Sequence, residues 1–366
     1  MFTPVTIGAL ALKNRIVMAP MTRSRVEADA RPGALEATYY AQRASAGLII
    51  TEGTAPCASG LGYSRTPGIY TPEQIASWRA VVEAVHARGG AIVLQIMHVG
   101  RVAHPLNQPE GAEIVAPSAI AARAKVYTEQ AGMQEMAVPR ALRTDEIPEV
   151  VATFAQATRN AREAGFDGVE LHATSGYLPH QFLSTNSNQR TDAYGGSPQN
   201  RARFVLEAID AMIEAWSADR VGIKVSPGQG FNDMVDETAR ETYGYLADEL
   251  SMRRLAYLHV TRQAQFSPED QAFDSFAELR RRFKGPLLVN GGLSKAEAEA
   301  LLENRQADFF SFGAAYIANP DLVERLAADR PLAVSDRSTH YAGGATGYID
   351  YPTYEEEHLA PAEPRD

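Results

Sequence analysis

The sequence contains almost no cysteine. Cys57 is the single cysteine among 366 residues, so no disulfide can form within the chain. With one thiol, neither a CxxC redox motif nor a zinc knuckle can be drawn, and we expect no metal site. A chain this poor in cysteine fits a reducing compartment, which predicts a cytoplasmic protein.

Positive charge is also scarce. The chain has 35 Lys and Arg against 45 Asp and Glu, a formal net charge of −10. No run of basic residues is typical of a nucleic-acid or membrane surface. Residues 1–12 lack the basic start and apolar stretch of a secretion signal, and no later run is long enough to span a bilayer. We therefore expect no nucleic-acid or membrane partner and predict a small-molecule substrate.

What the chain has instead is a repeat of short apolar runs separated by segments with helical periodicity. These runs cover residues 15–19, 47–51, 91–97, 168–172, 221–226, 257–261, 286–290 and 309–313. Strands that are buried on both faces and joined by helices are typical of a parallel sheet. Eight of them predict an α/β protein with a closed (β/α)8 TIM barrel. A doubly wound open sheet is the alternative, less favoured because no GxGxxG follows the first run.

Two segments interrupt this repeat. Residues 98–143 contain Gly, Pro and scattered apolar residues with little periodicity, and they are too long for a simple connection. We predict that they form a lid insertion after strand 3, over the barrel mouth. Residues 346–366 are acidic and predict a flexible C-terminal tail. Residues 1–345 are then expected to form a single barrel domain that includes the lid.

A polar cluster follows the fourth apolar run. His172, Ser175 and Tyr177 come at the carboxyl end of that predicted strand. In a TIM barrel these strand ends face a shared pocket, so an imidazole, a hydroxyl and a phenol there are candidate catalytic groups. The alternative is that His172 caps a loop and Tyr177 packs at the rim.

Glycines follow the last two runs. Asn290, Gly291 and Gly292 end the seventh run, and Gly313 and Ala314 end the eighth. Glycine lets backbone N–H groups approach a ligand closely, and the loops after strands seven and eight commonly bind phosphate in such barrels. The pattern predicts a phosphorylated cofactor or substrate, unless these glycines only form tight turns.

Six segments spread along the chain carry a specific pattern. They are residues 14–23 (NRIVMAPMTR), 95–101 (QIMHVGR), 172–182 (HATSGYLPHQF), 188–197 (NQRTDAYGGS), 200–204 (NRARF) and 317–322 (IANPDL). This ordered set resembles the old yellow enzyme family of FMN-dependent ene-reductases, along nearly the whole chain. The resemblance implies bound FMN, NAD(P)H as hydride donor, and reduction of the C=C bond of an enone, enal or nitroalkene. It also implies a monomer or a homodimer.

The resemblance assigns roles to individual residues. His172 and Ser175 correspond to the donors that hold the substrate oxygen, and Tyr177 to the donor of the proton. The residues that correspond to the cofactor site are Pro20, Met21, Thr22, Gly53, Gln95, Lys224, Gly291, Gly292, Gly313 and Ala314. Tyr63, Met97 and Tyr348 are candidates for the substrate pocket, although packing is a common role for tyrosine.

Four of these positions depart from the usual family pattern. Ser175 stands where Asn or His is usual, Lys224 where Arg is usual, and Met97 where many members have Trp. Ala314 stands where an Arg usually grips the FMN phosphate. Another cation, such as Arg262 just after strand six, would offset this loss if it reached the phosphate. Because Ser175 and Ala314 both depart from the pattern, the alternative function is an isomerase or cyclase with weakened or lost FMN binding and no redox step.

Overall fold

The structure, a computed structural model, describes residues 1–262, 274–341 and 343–358. Its strands are β1 (Val5–Ile7), β2 (Leu10–Leu12), β3 (Ile16–Met18), β4 (Leu48–Ile50), β5 (Ile92–Ile96), β6 (Val115–Ala116), β7 (Lys125–Thr128), β8 (Gly132–Glu135), β9 (Arg140–Ala141), β10 (Gly168–Ala173), β11 (Val221–Val225), β12 (Tyr257–Thr261), β13 (Leu287–Asn290) and β14 (Phe309–Phe312).

Eight parallel strands close into a barrel in the order β10, β11, β12, β13, β14, β3, β4, β5. Each of them lies in one of the eight predicted apolar runs, give or take a residue. The predicted (β/α)8 barrel is confirmed. The runs were readable because such strands are covered on both faces, which requires apolar side chains almost throughout.

Helices alternate with the barrel strands. They are α1 (Ala34–Gln42), α2 (Pro72–His86), α3 (Ile147–Ala164), α4 (Leu178–Leu183), α5 (Pro198–Ala215), α6 (Ala239–Arg253), α7 (Ser275–Arg282), α8 (Lys295–Glu303), α9 (Ala314–Ala318), α10 (Leu322–Ala327) and α11 (Tyr354–His358). Their ends follow local rules: Thr71 accepts a hydrogen bond from Gln74 N–H at the start of α2, and Gly165 ends α3 in the left-handed region at φ 92°. No helix in the described ranges is long and apolar enough to cross a membrane.

The hairpin of β1 and β2 closes the amino-terminal end of the barrel. Its buried side chains Ile7, Leu10 and Leu12 pack in one cluster with Val17 of β3 and Leu288 of β13. An apolar plug at this end leaves the carboxyl ends of the strands for a ligand, as is usual in TIM barrels.

The register of β10 brings polar residues together inside the barrel. Glu170 pairs with Gln95 of β5, and His172 pairs with Lys224 of β11. Lys224 in turn pairs with His259 of β12. Because side chains two apart on a strand share a face, Glu170 and His172 both point to the barrel interior, one layer above the other.

The segment predicted as a lid forms two small sheets. β6 pairs with β9, and β7 forms an antiparallel hairpin with β8. Val126 and Met136 from this segment share a buried cluster with Met97 and Tyr177. The insertion is therefore a wall against the barrel mouth, and its movement as a lid stays a prediction.

The C-terminal segment differs from the expected flexible tail. Tyr348 is fully buried and stacks on Tyr39 with ring centroids 4.0 Å apart. Arg23 Nη2 donates to Gly347 O at 2.8 Å, and Arg325 pairs with Glu357 at 2.8 Å. The segment is thus anchored on the barrel at Gly347, Tyr348 and Glu357, although most of its other described residues are exposed. The rest of the expected tail, 359–366, lies outside the described residues.

Candidate active site

A cavity of about 1110 Å³ opens at the carboxyl ends of the barrel strands. Its lining comes from the ends of β3, β4, β5, β10, β11 and β14, from the β7–β8 hairpin, and from the C-terminal segment. Twelve of the sixteen residues predicted for the site line it: Pro20, Met21, Thr22, Gly53, Tyr63, Gln95, Met97, His172, Ser175, Tyr177, Lys224 and Ala314. The described residues hold no group of three or more His, Cys, Asp and Glu placed to bind a metal.

The other four predicted residues are described by the structure but lie outside that lining. Gly313 stands directly behind it, since a Cβ there would be 3.6 Å from Met21 Sδ. Gly291 and Gly292 follow β13 with φ of +140° and +69°, backbone conformations that favour glycine. Tyr348 belongs to the core rather than to the predicted substrate pocket, because its ring stacks on Tyr39.

His172 lines the cavity as a neutral hydrogen-bond donor. Thr174 N–H donates to its Nδ1 at 3.4 Å, which leaves the ring proton on Nε2. Burial, with the nearby charge of Lys224, holds the pKa of His172 well below its ordinary value. A neutral imidazole with an Nε2–H group can therefore donate to a ligand oxygen at neutral pH.

Tyr177 lies edge-on to His172, with ring centroids 4.7 Å apart. Its hydroxyl donates to Tyr63 Oη at 3.2 Å. Burial raises the pKa of Tyr177 well above its ordinary value, and the neighbouring Tyr63 adds to this effect. The phenol therefore keeps its proton at any physiological pH, and Tyr63 can share or replace it.

Ser175 is held in an unusual backbone conformation. Its φ is 57° and that of Gly176 is 81°, two left-handed residues in succession. Asn232 Nδ2 donates to Ser175 O at 2.8 Å, and Gly176 N–H donates to His180 Nδ1 at 3.0 Å. Such strain persists only where the surroundings impose it, so this loop is built to present its side chains to the cavity.

Gln95 and Lys224 form the deeper part of the cavity. Gln95 Nε2 donates to Glu170 Oε1 at 2.7 Å, which leaves the Gln95 carbonyl oxygen as a free acceptor. Burial lowers the pKa of Lys224 to about 8, and Glu170 opposes this shift. Gly53 makes room here, because a Cβ at that position would collide with Met97 Sδ.

Comparison with known proteins identifies the family. The NADH:flavin oxidoreductase / NADH oxidase family matches residues 1–333. The chain belongs to this family. A probable flavin mononucleotide-dependent alkene reductase of Leishmania infantum is 43% identical over 356 residues, 96% of this chain and 97% of that protein. The 12-oxophytodienoate reductase 1 of Oryza sativa subsp. japonica is 40% identical over 361 residues, 97% of this chain and 93% of that protein.

Solved structures agree with this membership. Morphinone reductase in complex with tetrahydroNAD has a TM-score of 0.92 and 46% identity, covering 98% of this chain and 99% of that chain. The old yellow enzyme homologue from Zymomonas mobilis has a TM-score of 0.92 and 38% identity, covering 96% of this chain and 99% of that chain. The predicted resemblance to the old yellow enzyme family is confirmed.

In this member of the flavin oxidoreductase family, the sequence analysis did not predict four residues at the cavity mouth. Tyr127, Met133, Phe231 and Tyr341 line the cavity although each is more than half exposed. They come from the β7–β8 hairpin, the loop after β11 and the C-terminal segment. Large apolar side chains in polar loops were the available signal, but nothing in the sequence shows that the three segments meet.

Proposed function

We propose that this protein is an FMN-dependent NAD(P)H oxidoreductase that reduces the C=C bond of an enone, enal or nitroalkene. The observation that carries this proposal is one cavity that combines the Nε2–H of a neutral His172, the protonated Tyr177 phenol, and the Lys224 and Gln95 side chains. Relatives named as an alkene reductase, a 12-oxophytodienoate reductase and morphinone reductase support it.

The residues present fit FMN. An amide acceptor from Gln95, a buried ammonium from Lys224 and a hydroxyl from Thr22 come from three strand ends around one cavity. This donor set suits a flat ring with polar edges, and Pro20 and Met21 add an apolar surface. Backbone groups of Gly292 and Gly313 would hold the phosphate. FMN supplies a hydride acceptor and donor, which the side chains of this protein lack.

His172 and Ser175 hold the carbonyl or nitro oxygen of the substrate. Negative charge grows on that oxygen during alkene reduction, so a donor already in place stabilises the transition state more than the ground state. The ring of His172 is fixed by Thr174 N–H and by its contact with Tyr177, so little reorganisation is needed. Ser175 reaches less far than the Asn or His usual in the family, which leaves His172 as the main donor.

Tyr177 delivers the proton to the α-carbon of the substrate. A phenol with a raised pKa stays protonated until a strongly basic carbanion-like centre forms beside it. Tyr63 lies 3.2 Å from its hydroxyl and passes a proton back to it from the cavity mouth.

The visible spectrum tests the proposal. Purified protein titrated with FMN should shift and sharpen the flavin absorption, and anaerobic NADH or NADPH should then bleach it. Addition of 2-cyclohexenone should restore the oxidised spectrum with formation of the saturated ketone. Protein that carries no flavin as purified and leaves the spectrum of added FMN unchanged would remove the redox assignment. It would return the isomerase or cyclase alternative, which the reductase relatives do not favour.

The proposal extends to the location and the oligomeric state of the protein. A cytoplasmic location is supported by the single cysteine, which fits a reducing compartment. A monomer or a homodimer is expected, and size-exclusion chromatography with light scattering measures this directly.

A further inference from the structure

A chain of buried hydrogen bonds crosses the barrel beneath the cavity. Gln95 Nε2 lies 2.7 Å from Glu170 Oε1, and His259 Nδ1 lies 2.9 Å from Glu170 Oε2. On its other side, His259 Nε2 lies 2.9 Å from Ser311 Oγ, which accepts a hydrogen bond from Asn290 Nδ2 at 3.0 Å. We call these five residues the Glu170 network. All except Asn290 are at most 1% exposed.

The polarity of the Glu170 network follows from its one acid. An ionised carboxylate only accepts hydrogen bonds, so Gln95 must turn its NH2 group to Glu170, and His259 must carry its proton on Nδ1. His259 Nε2 is then an acceptor for the Ser311 hydroxyl at 2.9 Å, a shorter contact than the 3.3 Å from Ser311 Oγ to Val289 O. Ser311 Oγ is left to accept from Asn290. Replacing the carboxylate with a group that can also donate would remove this constraint on every member.

The charge of Glu170 is sustained by its partners. Burial alone would raise its pKa, but His259, Lys224 and Gln95 together lower it below the ordinary value of a glutamate. Glu170 in turn raises the pKa of Lys224 against the effect of burial. The buried Glu170 carboxylate therefore helps to keep Lys224 positively charged at the cavity wall.

One end of the Glu170 network lies at the proposed ring site of the cofactor, and the other end lies beside its proposed phosphate site. Gln95 lines the cavity, whereas Asn290 precedes the Gly291-Gly292 turn proposed to hold the phosphate. The pyrimidine edge of a flavin presents an N–H group between two carbonyl oxygens. A fixed acceptor, such as the Gln95 carbonyl, complements that N–H group, whereas a freely rotating amide would present its NH2 group half of the time.

We propose that Glu170 is a positioning residue for bound FMN, acting through the orientation of the Gln95 amide and through the Asn290 turn. This inference rests on the proposed function, because it concerns the cofactor of that same site. The competing explanation is that the Glu170 network only holds the barrel together and has no effect on the cofactor.

The dissociation constant of FMN, measured by quenching of flavin fluorescence on the apoprotein, tests the inference. Glu170→Gln keeps the size of the side chain but can donate as well as accept, so we expect the dissociation constant to rise at least about ten-fold. Asp236→Asn is the matched control, since Asp236 is also a buried carboxylate, 3% exposed and paired with Arg201 outside the cavity. Equal affinity losses in both variants, or none in Glu170→Gln, would overturn the proposal.

A double-mutant cycle separates positioning from simple stabilisation. If Glu170 acts through Gln95, then adding Glu170→Gln to Gln95→Ala should weaken FMN binding much less than it does in the wild-type protein. If the fold-changes of the two single variants in the FMN dissociation constant multiplied in the double variant, the proposed route through Gln95 would be contradicted.

A milder variant covers the case in which Glu170→Gln does not fold. Ser311→Ala removes the hydroxyl between His259 and Asn290 without touching a charge, and Asn290 Nδ2 keeps only its bond to Ser311 O at 3.1 Å. We expect a rise of about three- to ten-fold in the FMN dissociation constant. An unchanged constant there would overturn the proposed effect on the Asn290 turn. Failure of the wild-type protein to bind FMN at all would instead refute the proposed function.

Discussion

Individual side chains at the barrel mouth have separable roles. Tyr177 and His172 touch each other, yet their proposed roles differ: Tyr177 gives a proton, and His172 holds the substrate oxygen in place. Their types and order could be predicted from the sequence, because they follow a strand whose carboxyl end must face the pocket. The pairing of Tyr63 with Tyr177 could not, since 114 residues separate them and only the folded barrel brings them together.

Tyr177→Phe tests the proton donor. The variant keeps the ring and its contact with His172 but removes the transferable proton, so the rate of alkene reduction should fall about a hundred-fold or more. Reduction of the bound flavin by NAD(P)H should be unaffected, and stopped-flow measurement of the two half-reactions separates these effects. Tyr63→Phe is the control, with a smaller loss expected. Equal turnover by Tyr177→Phe and the wild type would assign the proton to another donor.

Arg262 is the candidate cation for the FMN phosphate in place of the usual Arg at position 314. The backbone N–H of Arg262 donates to Asn290 O at 2.8 Å. A Cβ added to Gly291 would be 3.0 Å from the Cβ of Arg262, so Arg262 stands beside the glycine turn. Arg262→Ala should weaken FMN binding about ten-fold, the effect of one charge-assisted hydrogen bond. Riboflavin, which lacks the phosphate, should bind equally to variant and wild type. Arg159→Ala on α3 is a control for net charge, and an equal loss there would exclude a specific contact.

At the scale of elements, the barrel strands and the helical segments between them were predictable, whereas the small strands of the insertion after strand 3 were not. A buried parallel strand must be apolar almost throughout, which is why the eight runs could be located within about a residue of their ends. The β7–β8 hairpin has only four residues in each strand and half of its side chains exposed, so its pattern was too short to read. Glu170 is a charged residue within an apolar run, and this pattern could have indicated the buried polar network from the sequence.

The C-terminal segment offers a test of element packing with two tyrosines seven residues apart. Tyr348 is fully buried on Tyr39, whereas Tyr341 is 67% exposed at the cavity mouth. Tyr348→Ala should lower the free energy of unfolding by about 3 kcal/mol or more, as expected for loss of a buried aromatic ring. Tyr341→Ala should change stability by less than about 0.5 kcal/mol and act on the KM of a bulky substrate instead. Urea denaturation of both variants decides this, and equal stabilities would refute the packed segment.

At the scale of the whole molecule, buried histidines make stability depend on pH. Burial lowers the pKa of His98 and His259 to about 4 and that of His180 to about 3. In the unfolded chain a histidine titrates near 6.5, so between that value and 4 the unfolded state binds more protons than the folded state. The stability from these groups is complete above pH 6.5 and is lost as the pH falls through this window.

Glu52 acts in the opposite direction. Burial raises its pKa to about 8, so its contribution is complete below about 4.5 and is lost as the pH rises toward 8. Each titrating group changes the free energy of unfolding by about 1.4 kcal/mol per pH unit, and three histidines outweigh one glutamate. We therefore expect stability, measured by urea denaturation, to fall steeply from pH 6.5 to 4.5. Glu52→Gln should make that fall steeper, because the opposing group is gone, and His98→Asn should make it shallower. Equal stability at pH 6.5 and pH 4.5 would show that solvent reaches these histidines. It would also contradict the closed interior on which the geometry of the cavity depends.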